Sequence, residues 1–288
     1  MATIIENAPA KINIGLAILG KRGDGFHDIL SIFQTVDICD ELVLTDSRKP
    51  GLDCGSFDVP PGPENLVMRA ERCFREGREG TPTLHFTLRK TIPVGAGLGG
   101  GSSDAAAAFR GMVRLHGDAG RTEDFLSRCA ESLGSDIPFL LNGGTAVVRG
   151  RGERIAPVRW PFDFTYVLVY PGFGVSTAWA YSQVRRYSGE DGLYGGIVRD
   201  LEAGTLSKGN LFAALSNDFE AVVFPGYPIL EEIRSQLLQE GADAALLTGS
   251  GSTVLGIFED ADAAEVCAAR LRGGDFSVFM ARKTGGLP

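Results

Sequence analysis

The chain has 288 residues, 44% of them apolar and 22% charged, which suits a globular protein large enough to bury a core without disulfides or a structural metal. Its formal net charge of −8 argues against a polyanionic partner, since nucleic-acid and anionic-membrane proteins usually present a basic surface. A small anionic substrate stays open, because a few basic residues can reverse the field inside a cleft.

The opening residues, MATIIENAPAKINIG, lack the basic and apolar regions of a signal peptide. No apolar run is long enough to span a bilayer, so a cytoplasmic location is expected. Residues 3–8 and 10–19 read as short strands around Pro9. DELVLTD and TLHFTLRK also read as strands, with ENLVMRAERCFRE as a helix between them. In TLHFTLRK, Leu84, Phe86 and Leu88 alternate with His85, Thr87 and Arg89, which predicts one buried and one wet face, as in an antiparallel sheet.

A dense run of glycines from Gly95 to Gly101 comes next, followed by a helix over SSDAAAAFRGMVRLHG that Ser102 or Ser103 can cap. RTEDFLSRCAESLG predicts a second helix, with acids in its first turn and Gly134 as its stop. TAVVRGRGERI reads as a strand entering a turn, and APVRWPFDF as a passage between domains. Beyond it come a strand (FTYVLVYPG), helices around 177–186, 211–222 and 228–240, and strands DAALLTGSG and TVLGIFE. A helix near 262–272 and a last strand, FSVFMARK, follow. Interleaved helices and strands with hairpin-like pairs predict an α+β fold in two domains, residues 1–155 and 156–288.

The five cysteines are widely spaced and odd in number, so reduced thiols are expected. His27, His85 and His116 lack metal-ligand spacing, and no zinc site is expected.

A glycine-rich loop running into a helix N-terminus is an anion cradle: backbone N–H groups converge where no Cβ blocks the approach, and the helix adds free donors. Pro93, Val94, Gly95, Ala96, Gly97, Leu98, Gly99, Gly100 and Gly101, with Ser102 and Ser103, are therefore candidate phosphate contacts, and Ser103 a candidate magnesium ligand. No lysine precedes the serines, so this is not a Walker loop. Gly95, Gly97 and Gly100 fit GxGxxG, but the strand before them is half polar, which speaks against a dinucleotide site and an oxidoreductase.

Three stretches in order, APAKINIGLAILGKRGDGFHDILSIFQTVD, PVGAGLGGGSSDAAAA and LLTGSGSTVLGIF, resemble the GHMP kinases, small-molecule kinases that include galactokinase, homoserine kinase and mevalonate kinase. The resemblance spans almost the whole chain. It implies a ribosomal-protein-like α/β domain followed by a ferredoxin-like α/β domain, ATP as phosphoryl donor, and an active site between the domains. GKRGDGFHDILSIF and GSDIPFLL resemble one branch in particular. Its acceptor is a methylerythritol carrying cytidine diphosphate, phosphorylated on the 2-hydroxyl in the non-mevalonate route to isoprenoid precursors.

By that resemblance Lys11 and Asp136 are the catalytic pair. Read alone, Lys11 is a solvated charge on an edge strand and Asp136 an N-cap. Asn13, two residues after Lys11, shares its face on a strand and matches a substrate ligand. Phe26 and His27 match a cytidine-binding aromatic–histidine pair, with Phe26 where tyrosine is common in the family; Phe33 lines the same pocket. Thr177 and Tyr181 share a helix face and match the cytidine end, though packing explains them nearly as well. Asn65 is either an adenine contact or a helix cap. Gly249, Ser250, Gly251 and Ser252 form a turn between strands that the resemblance sets against the phosphates. The same fold with homoserine or mevalonate as acceptor would have no use for GFHDILSIF, and a non-catalytic relative would have no use for Lys11 and Asp136. Magnesium is expected with ATP on chemical grounds.

Overall fold

The computed structural model describes residues 2–55, 59–76, 83–116 and 122–287. Its spine is a pair of long antiparallel strands, β1 (Thr3–Lys21) and β2 (His27–Ser47). The expected interruption at Pro9 is instead a local irregularity inside one continuous strand, where the register shifts between Pro9 and Lys11. β1 runs along one edge of β2. The other edge is taken first by β5 (Thr145–Gly150) and then by β4 (Thr83–Arg89). β3 (Gly51–Asp53) and β6 (Arg154–Pro157) complete this six-stranded sheet. In β4 the predicted alternation holds: Leu84, Phe86 and Leu88 are buried and His85 and Arg89 exposed.

One face of this sheet carries α1 (Leu66–Arg75), α2 (Gly100–His116), α3 (Thr122–Leu133) and the short α4 (Ile137–Asn142). Four consecutive alanines, Ala105 to Ala108, are fully buried here, and their small side chains let α2 lie close against β1 and α1. The first-turn acids Glu123 and Asp124 have side chains outside the described set, and Arg121 and Gly117 lie outside the described residues.

A four-stranded antiparallel sheet follows in the order β10-β7-β9-β8, with β7 Thr165–Tyr170, β8 Ala244–Leu247, β9 Val254–Phe258 and β10 Ser277–Arg282. It is covered by α9 (Pro228–Gln239) and α10 (Ala261–Leu271), with α5 (Thr177–Gln183) and α8 (Glu220–Gly226) in the same apolar cluster. A third cluster joins the two sheets: Ile12, Ile14 and Ile32 pack with Leu168 and Leu255, and Trp160, Phe162 and Phe164 fill the same layer. The APVRWPFDF stretch is thus a buried aromatic wedge.

The helix expected over 211–222 is broken into α7 (Lys208–Ala214) and α8 by Asn217, whose amide donates to the carbonyls of Leu247 and Gly249. A helix without a sequence expectation, α6 (Leu193–Glu202), supplies Tyr194. Its hydroxyl donates to the Ile14 carbonyl at 2.6 Å and accepts from the Ile32 amide at 3.0 Å. Those groups flank the register shift between Asn13 and Leu16, so the phenol replaces ladder bonds that the irregularity removes.

The expectation of five reduced thiols is corrected at two of them. Cys73 of α1 and Cys129 of α3 form a disulfide, with Cα atoms 6.1 Å apart. Helix packing brings them together across a separation of 56 residues, which spacing alone does not reveal. Cys39, Cys54 and Cys267 are free thiols. Among the described residues no helix is long and apolar enough to cross a membrane.

Candidate active site

Two cavities meet at the glycine loop. The larger, about 730 Å³, is lined by β1, the start of β2, Asp136, the β5–β6 turn, α5 and the β8–β9 turn. The smaller, about 340 Å³, is lined by Asn65, Lys90, the loop from Pro93 to Ser102, and Asp104. Gly97 and Gly99 line both. The loop is held from two sides: the Lys11 amide donates to Leu98 O at 2.9 Å, and the Thr253 amide to Ala96 O at 3.2 Å.

The larger cavity gathers Lys11, Asn13, Phe26, His27, Phe33, Asp136, Thr177, Tyr181, Gly249 and Ser250 from positions up to 239 residues apart in sequence. Lys11 is buried, with its ammonium 2.7 Å from Asn13 Oδ1 and 3.7 Å from Asp136 Oδ2. Asn13 is fixed in turn: its side-chain amide donates to Ser31 Oγ and its backbone N–H to Thr248 Oγ1, at 2.9 and 2.8 Å. Asp136 occupies the N-cap position of α4 but makes no side-chain capping bond; its carboxylate turns to the cavity and Lys11. The solvated-lysine and capping readings of these two residues are therefore replaced by a single ion pair.

Phe33 is buried edge-on against Phe139, with the Lys11 ammonium 4.7 Å from its ring centre. His27 stacks on Tyr181, ring centres 4.7 Å apart and planes 12° from parallel. Burial, and secondarily the charge of Lys21, pushes the His27 imidazole below its ordinary pKa. Thr177 Oγ1 lies 2.8 Å from Ser250 Oγ, which ties the start of α5 to the β8–β9 turn. Phe26 is 51% exposed at the rim.

In the smaller cavity Asn65 does cap α1, accepting from the Val67 amide at 2.9 Å, and it also lines the cavity. The serines do not cap α2. That helix starts at Gly100, and the buried Ser103 hydroxyl donates to the Pro9 carbonyl at 2.7 Å. The Ser103 hydroxyl, the candidate magnesium ligand, is thus engaged with backbone.

Residues 65–144 match the model described as GHMP kinases N terminal domain, and residues 198–274 the model described as GHMP kinases C terminal. A protein of Geobacter sp. (strain M21) named 4-diphosphocytidyl-2-C-methyl-D-erythritol kinase is 39% identical over 266 residues, 92% of each chain. The chain belongs to the GHMP kinases, in the branch of those relatives. A crystal structure of a 4-(cytidine 5'-diphospho)-2C-methyl-D-erythritol kinase superposes with a TM-score of 0.81 at 32% identity, covering 98% of this chain and 100% of that one. The homoserine kinase of Cytophaga hutchinsonii, at 19% identity and a TM-score of 0.75 over 99% of this chain and 96% of that one, shares the fold.

Several residues of this GHMP kinase site escaped the sequence reading. Lys90 is buried between Asp40 and Asp104, 2.8 Å from Asp104 Oδ2, and lines the smaller cavity. Its signal was a lysine ending an otherwise half-wet strand, three residues before Pro93. Burial drives the Asp104 carboxyl up to about 7, with Asp40 adding to the rise and Lys90 opposing it. Thr248 and Lys21 lie inside stretches that carried the resemblance but had no role assigned; Thr248 accepts from the Asn13 amide, and Lys21 lines the larger cavity. Arg151 and Arg185 carried no local signal, and only the fold brings them to that cavity. Among the described residues lining it, the cations Lys11, Lys21, Arg151 and Arg185 stand against one carboxylate, Asp136, so a chain of charge −8 carries a locally basic cleft.

Proposed function

We propose that the chain phosphorylates the 2-hydroxyl of 4-diphosphocytidyl-2-C-methyl-D-erythritol with ATP, a step toward isoprenoid precursors by the methylerythritol phosphate route, in the cytoplasm. The observation that carries this reading is the junction of the two cavities at Gly97 and Gly99, with Lys11 and Asp136 beside it. The smaller cavity takes ATP: loop amides and the N-terminus of α2 cradle its phosphates, and Asn65 lies toward its base. The larger takes the acceptor, with Phe26, His27, Thr177 and Tyr181 at its cytidine end and Asn13 and Phe33 nearer the reacting end. Gly249, Ser250 and Gly251 close the phosphate side.

In this reading the Asp136 carboxylate orients the acceptor hydroxyl and accepts its proton as the oxygen attacks the γ-phosphorus. The bond from that phosphorus to the β-bridging oxygen breaks, and ADP leaves. Lys11, held by Asn13, offsets the charge that builds on the transferred group. Phosphoryl transfer asks chiefly for positioning and charge neutralisation, which a fixed ammonium–carboxylate pair supplies. Magnesium bound with ATP would add charge neutralisation at the phosphates beside the glycine loop; the Ser103 hydroxyl, on the Pro9 carbonyl, would have to leave that bond to serve it.

The test is ADP release from Mg-ATP with three acceptors: the diphosphocytidyl compound, homoserine and mevalonate. Turnover with the first alone, abolished in Asp136→Asn while ADP still binds, is the expected result. Turnover with another acceptor overturns the cytidyl assignment, and full activity in Asp136→Asn overturns the role of that carboxylate.

A further inference from the structure

Arg151 sits in the β5–β6 turn, a position on which the reaction above makes no demand. The turn is tightly built: the Arg151 amide donates to Glu153 Oε2 at 2.5 Å, and Gly150 and Gly152 on either side have φ of 71° and 119°. This directs the side chain into the larger cavity, where its guanidinium lies 4.9 Å from the centre of the Phe26 ring. Stacking engages the flat face of a guanidinium and leaves its N–H edge free to donate. Among the described residues no carboxylate lies within the 4.0 Å salt-bridge distance of Arg151, Lys21 or Arg185, although other arginines of the chain, such as Arg149 and Arg22, are paired. Three cations on one rim without a direct carboxylate partner, Arg151 against an aromatic ring with Asp24 only at longer range and Arg185 donating to the Ser182 and Val184 carbonyls, form an anion site. The neighbouring ring suits a flat base.

We propose that Arg151 is a specificity-determining residue for the acceptor, donating its guanidinium edge to the diphosphate while its face stays on Phe26, with Lys21 and Arg185 neutralising the rest of that charge. This rests on the cytidyl-acceptor reading. It adds that recognition on this side depends on the phosphates as well as on the base, through a bidentate donor preorganised by the ring. A planar fork matches two phosphate oxygens as a lysine ammonium does not.

Calorimetry on the full chain tests it, with ADP saturating the smaller cavity and CDP, CMP and cytidine as probes. The variants are Arg151→Met, which keeps a side chain on Phe26 without charge or donors, and Arg151→Lys, which keeps the charge without the fork. Thermal midpoints confirm that both fold. We expect CDP affinity to fall about tenfold or more in Arg151→Met, cytidine affinity to change less than about threefold, and Arg151→Lys to lie between, as charge-assisted phosphate contacts predict. In turnover, the KM for the acceptor rises while that for ATP holds. If wild-type protein binds CDP and Arg151→Met binds it equally well, the role of Arg151 is overturned and the cytidyl reading stands. If wild-type protein binds no cytidine compound, both fall together.

Discussion

Gly97 belongs to both cavities, and its place between two backbones makes a sharp forecast possible. It has φ of 80°, and a Cβ built on it would lie 2.6 Å from the Gly251 carbonyl oxygen and 3.0 Å from that of Thr248. Gly95, two residues earlier, has φ of 71°, but its Cβ would meet only Gly174 Cα at 3.7 Å, an ordinary contact. Alanine at either site carries the left-handed backbone penalty of roughly 1–2 kcal/mol. Only at Gly97 must two backbone segments also separate, and overpacking of that kind costs about 1–3 kcal/mol more. Gly97→Ala is therefore expected to lose roughly 2–5 kcal/mol and Gly95→Ala about 1–2. With about 2–4 °C of thermal midpoint per kcal/mol in a chain of this size, calorimetry resolves the difference. Because the proposed function sets both the displaced turn and the loop against the ATP phosphates, Gly97→Ala should also raise the KM for ATP well above the Gly95→Ala value. Equal midpoints and equal KM values in the two variants would refute the idea that the loop and the β8–β9 turn are held at contact distance.

Thr248→Val keeps shape but leaves the buried Asn13 N–H without its 2.8 Å acceptor, at about 1–3 kcal/mol. Since Asn13 holds the Lys11 ammonium, kcat should fall while the KM for ATP changes little, read by steady-state kinetics. The His27 imidazole should titrate by NMR below its usual 6.5. Its neutral form is the folded one, so its contribution to stability is whole above that value and is lost as pH falls through the lower folded pKa. Asp104, at about 7, has the opposite sense for an acid: the folded chain keeps a proton that the unfolded chain has released, so stability declines as pH rises from about 3.8 to about 7. Asp104→Asn should flatten that decline in urea titrations between those limits; an unchanged slope would mean that Lys90 keeps the carboxylate ionised throughout.

Much of the fold was legible because its strands and helices declare themselves locally. The alternation in β4 and the alanine run of α2 each follow from one window of sequence. What escaped depends on partners remote in the chain. Pro9 looked like a strand break, yet β2 supplies a continuous partner on both sides of it and a register shift absorbs the missing donor. Residues 211–222 had helical composition, but Asn217 leaves the helix to bond the carbonyls of Leu247 and Gly249. The disulfide likewise needs α1 against α3, which no spacing encodes. Helix α6 offered only a short, glycine-interrupted pattern, and its main contribution is one phenol placed at a fault between β1 and β2.

The site divides along the same line. Backbone-driven features, the glycine loop and the turn at Gly249, are visible as composition because only small residues permit the approach. Charged side chains are different: Lys11, Lys90 and Arg151 look alike in sequence, and each acquires its character from what surrounds it. Lys11 meets one carboxylate and an amide oxygen, which leaves its charge available to a reacting group. Lys90 meets two buried carboxylates, so its charge is already answered, and it packs beside Gly100, where an added Cβ would lie 3.2 Å from its ammonium. Arg151 meets an aromatic ring and makes no direct ion pair among the described residues, with Asp24 acting on it only at longer range. In the proposed reading a basic side chain thus serves a reacting group, a scaffold or a ligand partly according to how many anions the fold leaves beside it. That count separates the two lysines, and at Arg151 the planar shape of the guanidinium adds to it.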